Sequence, residues 1–214
     1  METTRILAIR HGETAWNVDT RLQGHLDIPL NDVGLRQAEH LASALAARET
    51  VDAIYASDLS RAHATAQAIA QTMGHTVSTH VGLRERHFGV FQGRTFDEVE
   101  AELPEHAWHW RKRTPDWSPP EGGESLLALR ERIVNTVDEL AARHAGQQIV
   151  LVAHGGVLDI LYRAATRLDL QAPRTWQLTN TAVNRLLWTP QGLSLVGWGD
   201  TSHLDRLGKD ETSV

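Results

Sequence analysis

Two apolar runs, Arg5 to Ile9 and Ile149 to Ala153, each end in a histidine followed by glycine. The first continues as Arg10-His11-Gly12-Glu13-Thr14 and the second as His154-Gly155-Gly156. Short continuous apolar runs bracketed by glycine read as buried strands of a parallel sheet. A strand that stops at His-Gly and gives way to a helix leaves its histidine at the strand's carboxyl end. In an open α/β sheet, ligands bind along that edge. Two histidines far apart in the chain but delivered to one edge point to a single site.

Between these runs, helix and strand signals alternate. Asn31 is placed to cap a helix from Asp32 to about Arg48, with Leu35, Ala38, Leu41, Ala42 and Leu45 on one face. Val51 to Ala56 reads as the second strand. Ser57 is then the expected cap of a helix from about Leu59 to Met73. The stretch from Leu83 to Gln92 is irregular, and Thr95-x-x-Glu98 is a capping box that opens a short helix. Ser125 starts a helix to about His144, buried through Leu126, Leu129, Ile133, Val137 and Leu140. A further helix is expected from about Val157 to Arg167. Thr181 to Trp188 and Leu193 to Trp198 flank the turn Pro190-Gln191-Gly192 as a closing hairpin.

This order predicts an α/β fold: a three-layer sandwich with a mostly parallel central sheet and helices on both faces. Residues 91–124 interrupt the rhythm with proline, glycine and aromatic residues and are expected to form a lid insertion over the strand ends. The chain of 214 residues then reads as one domain, 1–207, with a polar tail, 208–214, expected to be frayed.

Composition removes several classes of function. The chain has no cysteine, which excludes disulfides, iron–sulfur clusters and thiol catalysis and fits a reducing compartment. A net charge of −6 gives no global field to recruit nucleic acid or a membrane surface. No apolar stretch approaches the ~20 residues of a membrane span. The start is strand-like within a few residues of Met1, so a cytoplasmic protein is expected. Among twelve histidines, His106 and His109 have no partner at metal-ligand spacing and read as surface residues. Trp108, Trp110 and Trp117 read as packing for the lid, or alternatively as an apolar wall for a substrate.

The residues delivered to the strand ends carry the chemistry. The first strand brings Arg10 and His11, the second Ser57, Asp58 and, one helical turn on, Arg61. The histidine run brings His154 and the backbone of Gly155 and Gly156. Glu85 comes from the loop before the lid. Guanidinium forks and helix N-termini suit a dianionic phosphoryl group. With no lysine in the set and no P-loop pattern, Walker-type nucleotide binding is not supported. A neutral imidazole at this edge can attack phosphorus, with His11 kept unprotonated by the neighbouring arginines. His154 would stabilise charge in flight and Glu85 would serve as acid and then base. Each residue alone has a plainer reading. Arg10 and Arg61 could pair with Asp58 or Glu13, Glu85 could belong to an exposed ion pair, and His154 could be a hydrogen-bonded strand end.

At these residues the chain resembles the histidine phosphatase superfamily, the group named after cofactor-dependent phosphoglycerate mutase. The likeness runs from about Ile6 to Leu204. It rests on Arg10-His11-Gly12-Glu13-Thr14, on Ser57-Asp58-Leu59-Ser60-Arg61-Ala62 with Thr65-Ala66, on Leu83-Arg84-Glu85 and on Ala153-His154-Gly155. The resemblance implies His11 as the phosphorylated nucleophile. It implies Arg10, Asn17, Arg61, His154 and Gly155 around the phosphate, Glu85 as acid and base, and no metal. Family members are often dimeric or tetrameric, so a homodimer is the implied assembly, with no separate signal for it in this chain.

Phosphatase and mutase members share that pocket. Gln23 beside Gly24, Gly156 after His154-Gly155, and the absence of a long charged segment before the 125–144 helix look phosphatase-like. The tail from Gly199 to Leu204 resembles small bacterial phosphatases of broad-specificity and α-ribazole phosphate types. Arg111-Lys112-Arg113 with Pro119-Pro120-Glu121 instead resembles the mutase lid, where paired arginines hold a carboxylate. The plainer reading of Arg111 to Arg113 is a solvated helix end; on the alternative, an acidic substrate, Gln23, Gly24 and Arg111 are the expected substrate contacts. The favoured expectation is a metal-independent phosphomonoesterase acting on a small phosphate ester, without cofactor. The alternative is a phosphoglycerate mutase using 2,3-bisphosphoglycerate. A non-catalytic phospholigand-binding module and a metal hydrolase liganded by His11, His154 and Glu85 are the remaining competitors.

Overall fold

The computed structural model describes residues 3–205. Four strands run parallel: β1 (Thr4–Arg10), β2 (Ala53–Ala56), β3 (Val77–Thr79) and β4 (Gln148–Ala153). A hairpin of β5 (Val183–Thr189) and β6 (Gly192–Asp200) adds antiparallel to β1, completing one sheet in the order β3-β2-β4-β1-β5-β6. The expected α/β sandwich is therefore the observed one, with a mixed sheet of six strands.

The central strands are buried on both faces, and their alternation splits the core in two. A single turn, α1 (Ala15–Val18), follows β1. Leu7, Ile9, Val150 and Val152 face α2 (Asp32–Arg48) and α3 (Ser60–Met73). Ile6, Ala8, Ile149, Leu151 and Ala153 face α6 (Leu126–Ala142) and α7 (Gly155–Thr166). Every second residue of β1 and β4 thus serves the opposite layer, which is why those runs are continuously apolar. Asn31 and Ser125 cap α2 and α6 by accepting from Gly34 and Ala128.

The start of α3 differs from expectation. Leu59, not Ser57, occupies the N-cap position, and it makes no side-chain cap. The N–H of Ser60 donates instead to Asp27 Oδ1, 2.8 Å away, from a loop distant in sequence. The second strand is also shorter than the Val51 to Ala56 run, because Asp52 at its start turns its carboxylate to the N–H of Gln148.

Residues 91–124 contain α4 (Phe96–Glu102), opened by the Thr95/Glu98 capping box, and α5 (Pro104–Arg111), with proline at its first turn. They close on a small core of their own around Phe88, Phe91, Val99 and Ala107, joined by Trp110 and Trp117. Trp117 stacks on His109 with the rings 6° from parallel, while Trp108 remains exposed. Two of the three tryptophans therefore pack the insertion. No helix among the described residues is long and apolar enough to cross a membrane. The expectation for 208–214 lies outside the described residues.

Candidate active site

Strand register brings the distant residues together. Arg10 pairs with Ala153 and Ala56 with Val152, so His11, His154 and Ser57 all leave the sheet at one level. The N–H of His11 donates to Ala153 O and that of Ser57 to Val152 O, both at 3.0 Å. Thr79 lies beside Ala56, and β3 then leads through a single-turn helix (Val81–Leu83) to Glu85. The rings of His11 and His154 end 5.2 Å apart between centroids.

The electrostatics of both imidazoles follow from burial among cations. His11 is 3% exposed, and its pKa lies well below the usual histidine value because of burial first, then Arg10 and Arg61. His154 is shifted the same way by burial and then by Arg61, His11 and Arg10. Both rings are neutral near pH 7. His11 Nδ1 lies 2.7 Å from the carbonyl of Gly12. A carbonyl only accepts, so Nδ1 holds the proton and the lone pair sits on Nε2.

Side chains that act on this ring through their charge or lie beside it hold buried nitrogens without partners. Among the buried polar atoms lacking a hydrogen-bond partner are Arg10 Nε, Arg61 Nε and both ring nitrogens of His154. Buried polar groups are otherwise nearly always paired. Asp58 does not satisfy Arg61, because it is held by Arg84 through Nε (2.7 Å) and Nη2 (2.5 Å). Glu13 instead accepts from Asn31 Nδ2. Arg61 spends its two Nη groups on the carbonyls of Leu26 (2.9 Å) and Gly24 (2.8 Å) and is 1% exposed; burial lowers its pKa to about 10, which leaves it a cation.

Three further expected residues approach this cluster from β1's trailing loop. Asn17 Oδ1 accepts from the N–H of Thr14, an unambiguous donor, so the amide nitrogen is its other end. Gln23 donates to Thr14 Oγ1 at 2.8 Å. Gly24, at φ +55°, presents the carbonyl that Arg61 holds, and Gln92 packs where its side chain would lie. Gln23 and Gly24 brace Thr14 and Arg61 and do not line the neighbouring cavity.

Glu85 is not a surface ion pair. It is 8% exposed, and its Oε1 accepts from the N–H of Arg86 (2.7 Å) while Oε2 accepts from that of Gly156 (3.0 Å). The carboxylate therefore rests on the first turn of α7, where backbone N–H groups are otherwise unpartnered. Glycine at 156 lets the carboxylate come this close, since an added Cβ would lie 2.2 Å from Glu85 Oε1. At Gly155 a Cβ would lie 3.7 Å from Arg10 Nε and 3.9 Å from Glu85 Oε2, which places both groups around the start of α7.

A cavity of about 440 Å³ opens from Arg10, Gly155 and Gly156 towards the insertion. Its walls include Phe88, Trp110, Leu126 and Leu129, and its charged lining is Arg10, Arg86, Arg113 and Arg174 against Asp159. Arg111, the expected substrate contact, is elsewhere. It pairs with Glu100 and covers the Phe96 ring on the outside of α5. The chain turns after α5, with Arg113 at φ +49°, and this swings Arg113 rather than Arg111 to the cavity. The expectation at Arg111 is corrected accordingly.

Sequence reasoning also passed over His25, whose Nε2 donates to the Glu85 carbonyl (2.7 Å), and Asn180, which donates to the His11 carbonyl (2.7 Å). Thr65 accepts from the N–H of Gly12 at 3.0 Å. Of these, only Thr65 stood within a motif. Among the described residues no group of three His, Cys, Asp or Glu side chains converges with metal-ligand spacing.

A buried neutral imidazole, unpartnered guanidinium and imidazole nitrogens and a carboxylate on a helix start are groups that phosphoryl transfer can use. The model of the histidine phosphatase superfamily (branch 1) matches residues 6–201, and the chain belongs to that family. It is 38% identical to phosphoglycerate mutase-like protein 4 of Arabidopsis thaliana, over 97% of this chain and 90% of that one. It is also 38% identical to the metal-independent phosphoserine phosphatase of the same plant, over 97% of this chain and 86% of that one. Its structure resembles mycobacterial glucosyl-3-phosphoglycerate phosphatase with a TM-score of 0.81 at 31% identity, covering 93% of this chain and 100% of that one.

Proposed function

We propose that this chain is a phosphomonoesterase that hydrolyses a small, acidic phosphorylated metabolite through a phosphohistidine at His11, without a metal or cofactor. One observation carries the reading: a neutral His11 with a free Nε2 lies beside His154 and in the field of Arg10 and Arg61, and each of these three side chains carries a buried nitrogen without a partner. In the first step Nε2 attacks phosphorus and the P–O bond to the leaving group breaks. The Glu85 carboxyl group gives its proton to the departing alkoxide. In the second step the Glu85 carboxylate takes a proton from water, the hydroxide attacks, and the P–N bond breaks. Inorganic phosphate leaves, and His11 and Glu85 return to their starting states. Arg10, Arg61, Asn17, His154 and the backbone of Gly155 hold the phosphoryl oxygens. Residues 91–124 act as the lid that selects the leaving group.

The activities named for the relatives, phosphoserine and glucosyl-3-phosphoglycerate hydrolysis, support a substrate of this size and charge. The chelator-treated protein is tested with 3-phosphoglycerate, with and without 2,3-bisphosphoglycerate, following inorganic phosphate and 2-phosphoglycerate together. Phosphate release without the bisphosphate supports the proposal, and its loss in His11→Ala ties it to the phosphohistidine. Rapid 2-phosphoglycerate formation that depends on the bisphosphate overturns it in favour of a mutase. Activity lost to the chelator and restored by a divalent metal overturns the metal-independent mechanism.

A further inference from the structure

The segment that carries Glu85 has little regular structure, only the single-turn helix at Val81–Leu83. A carboxylate presented by such a segment needs an outside hold to meet a substrate oxygen in one geometry. Arg132, on the second turn of α6, supplies it. Its Nη1 donates to the carbonyls of Gly82 and Arg84, both at 2.9 Å, and its Nη2 reaches that of Glu85 at 3.3 Å. Nε and Nη2 fork onto the Glu124 carboxylate at 2.8 and 2.6 Å. A guanidinium has five N–H groups, and these five acceptors engage them all. Arg132 therefore has no donor to offer a ligand, unlike the cations that line the cavity.

The same pair ties the end of the insertion to the acid. The N–H of Glu124 donates to the His87 carbonyl (2.8 Å), and the Glu124 carbonyl accepts from Arg86 Nε (2.7 Å). Glu85 thus lies between residues 82–84, held from α6, and residues 86–87, held from residue 124. Its own carbonyl accepts from His25 as well as from Arg132. Close docking of the loop on α6 depends on Gly82, where an added Cβ would lie 2.2 Å from Oγ1 of Thr136, one turn beyond Arg132. The Arg132 and Glu124 side chains are mostly shielded from solvent, where a bidentate pair fixes geometry as well as charge.

We infer that Arg132 is a positioning residue for Glu85 and that Glu124 completes it: together they set where the carboxyl group meets the leaving-group oxygen, without touching substrate. This role rests on the phosphomonoesterase reading, in which Glu85 is the acid, and adds the residues that place it. Docking of residue 124 and placement of the acid become one event, because Glu124 orients the guanidinium that holds residues 82–85. Without the clamp the carboxylate keeps its two backbone donors, the N–H groups of Arg86 and Gly156, so it is misplaced and not released.

The test measures leaving-group release in a single turnover, with enzyme in excess. It compares 3-phosphoglycerate, whose alkoxide needs a proton, with p-nitrophenyl phosphate, whose phenolate does not. Arg132→Gln is expected to slow release of glycerate by about 100-fold, the cost of a misplacement of about 1 Å, and release of nitrophenolate by less than about threefold. Arg132→Lys keeps the charge but not the planar fork and should recover only part of the loss. In a Glu85→Gln background, Arg132→Gln should change glycerate release by less than about threefold, since the acid through which it acts is gone. Equal losses on both esters, or the same loss in both backgrounds, would mean a structural role only and would overturn the inference while leaving the phosphatase reading in place. Glu124→Gln leaves the backbone contacts of Arg132 intact and carries the same comparison if Arg132→Gln fails to fold; about a tenfold loss confined to glycerate release is expected, and an unchanged ratio of the two esters would overturn the clamp. A wild type that releases neither leaving group would overturn the parent reading, and the positioning role with it.

Discussion

Replacing Gly156 with alanine isolates the position of Glu85 from its presence. The added Cβ would lie 2.2 Å from Glu85 Oε1, against an ordinary contact of 3.4 Å or more, so the carboxylate must retreat by about 1 Å. It also loses its 3.0 Å anchor on the Gly156 N–H. The three atoms nearest the added Cβ all belong to Glu85. Gly156 has a helical backbone within α7, where alanine is favoured over glycine by about 1 kcal/mol. Thermal stability should therefore hold while acid catalysis fails. A misplacement of about 1 Å can cost on the order of 100-fold, and a general acid contributes about 100- to 10,000-fold. The expected result is a fall of about 100-fold in kcat for an alkyl phosphate such as glycerol 3-phosphate. For p-nitrophenyl phosphate, whose leaving group needs no proton, the fall should stay within about threefold. Single-turnover measurements with both esters and a thermal melt decide the matter. Equal losses on the two substrates, or an unaffected alkyl ester, would refute the assignment of Glu85 as the acid.

Further outcomes follow from the same geometry. His11 and His154 have folded-state pKa values well below the unfolded value of about 6.5, so below that pH the unfolded chain binds more protons. Their stabilising contribution is complete above about pH 6.5 and is lost as pH falls; urea titrations from pH 7.5 to 5 should show this slope, and His154→Asn should flatten it. The acid limb of kcat/KM, which reports the free enzyme, should likewise lie well below pH 6.5. Arg61→Lys cannot hold two carbonyls and an oxyanion at once, and kcat/KM should fall by about 100-fold or more, with faster proteolysis of the loop at 24–26. Asp27→Ala removes the acceptor for the Ser60 N–H and should cost about 1 kcal/mol in urea unfolding with little change in the slope m.

The parts of the fold legible in the sequence were those with a local cause. The β1 and β4 runs are apolar at every position because both faces are covered, and α2 and α6 announce themselves through Asn31, Ser125 and their buried stripes. β3 went unread because Val77-Ser78-Thr79 is short and mostly polar, with Ser78 and Thr79 both exposed. It is a strand only because β2 lies next to it. The same holds for the cap of α3: Ser57 has the right chemistry at the right spacing, but Asp27 arrives from elsewhere and takes the N–H. Ser57, fully buried, turns its hydroxyl to the N–H of Leu59.

The candidate site divides along the same line. His11, His154 and Arg61 could be brought together from sequence because each follows the end of a parallel strand or opens the next helix, and register does the rest; Glu85 follows the unread β3 and was legible only as a carboxylate in the loop before the lid. The cavity cations could not be chosen that way. Arg111, Lys112 and Arg113 are adjacent and share their charge, and which of them lines the cavity depends on one backbone angle, φ +49° at Arg113, just after α5. That angle is unfavourable for a side-chain-bearing residue by about 1 kcal/mol or more, and it persists because Arg113 is held at both ends of its guanidinium, by the Leu170 carbonyl and by Asp159. Position in the phosphoryl pocket is thus set by the sheet, which the sequence encodes locally. Position in the neighbouring cavity is set by contacts between the insertion and α7, which form only after both have folded. Selectivity in this protein should therefore change with substitutions at Asp159 and Arg113 that leave the His11 cluster in place.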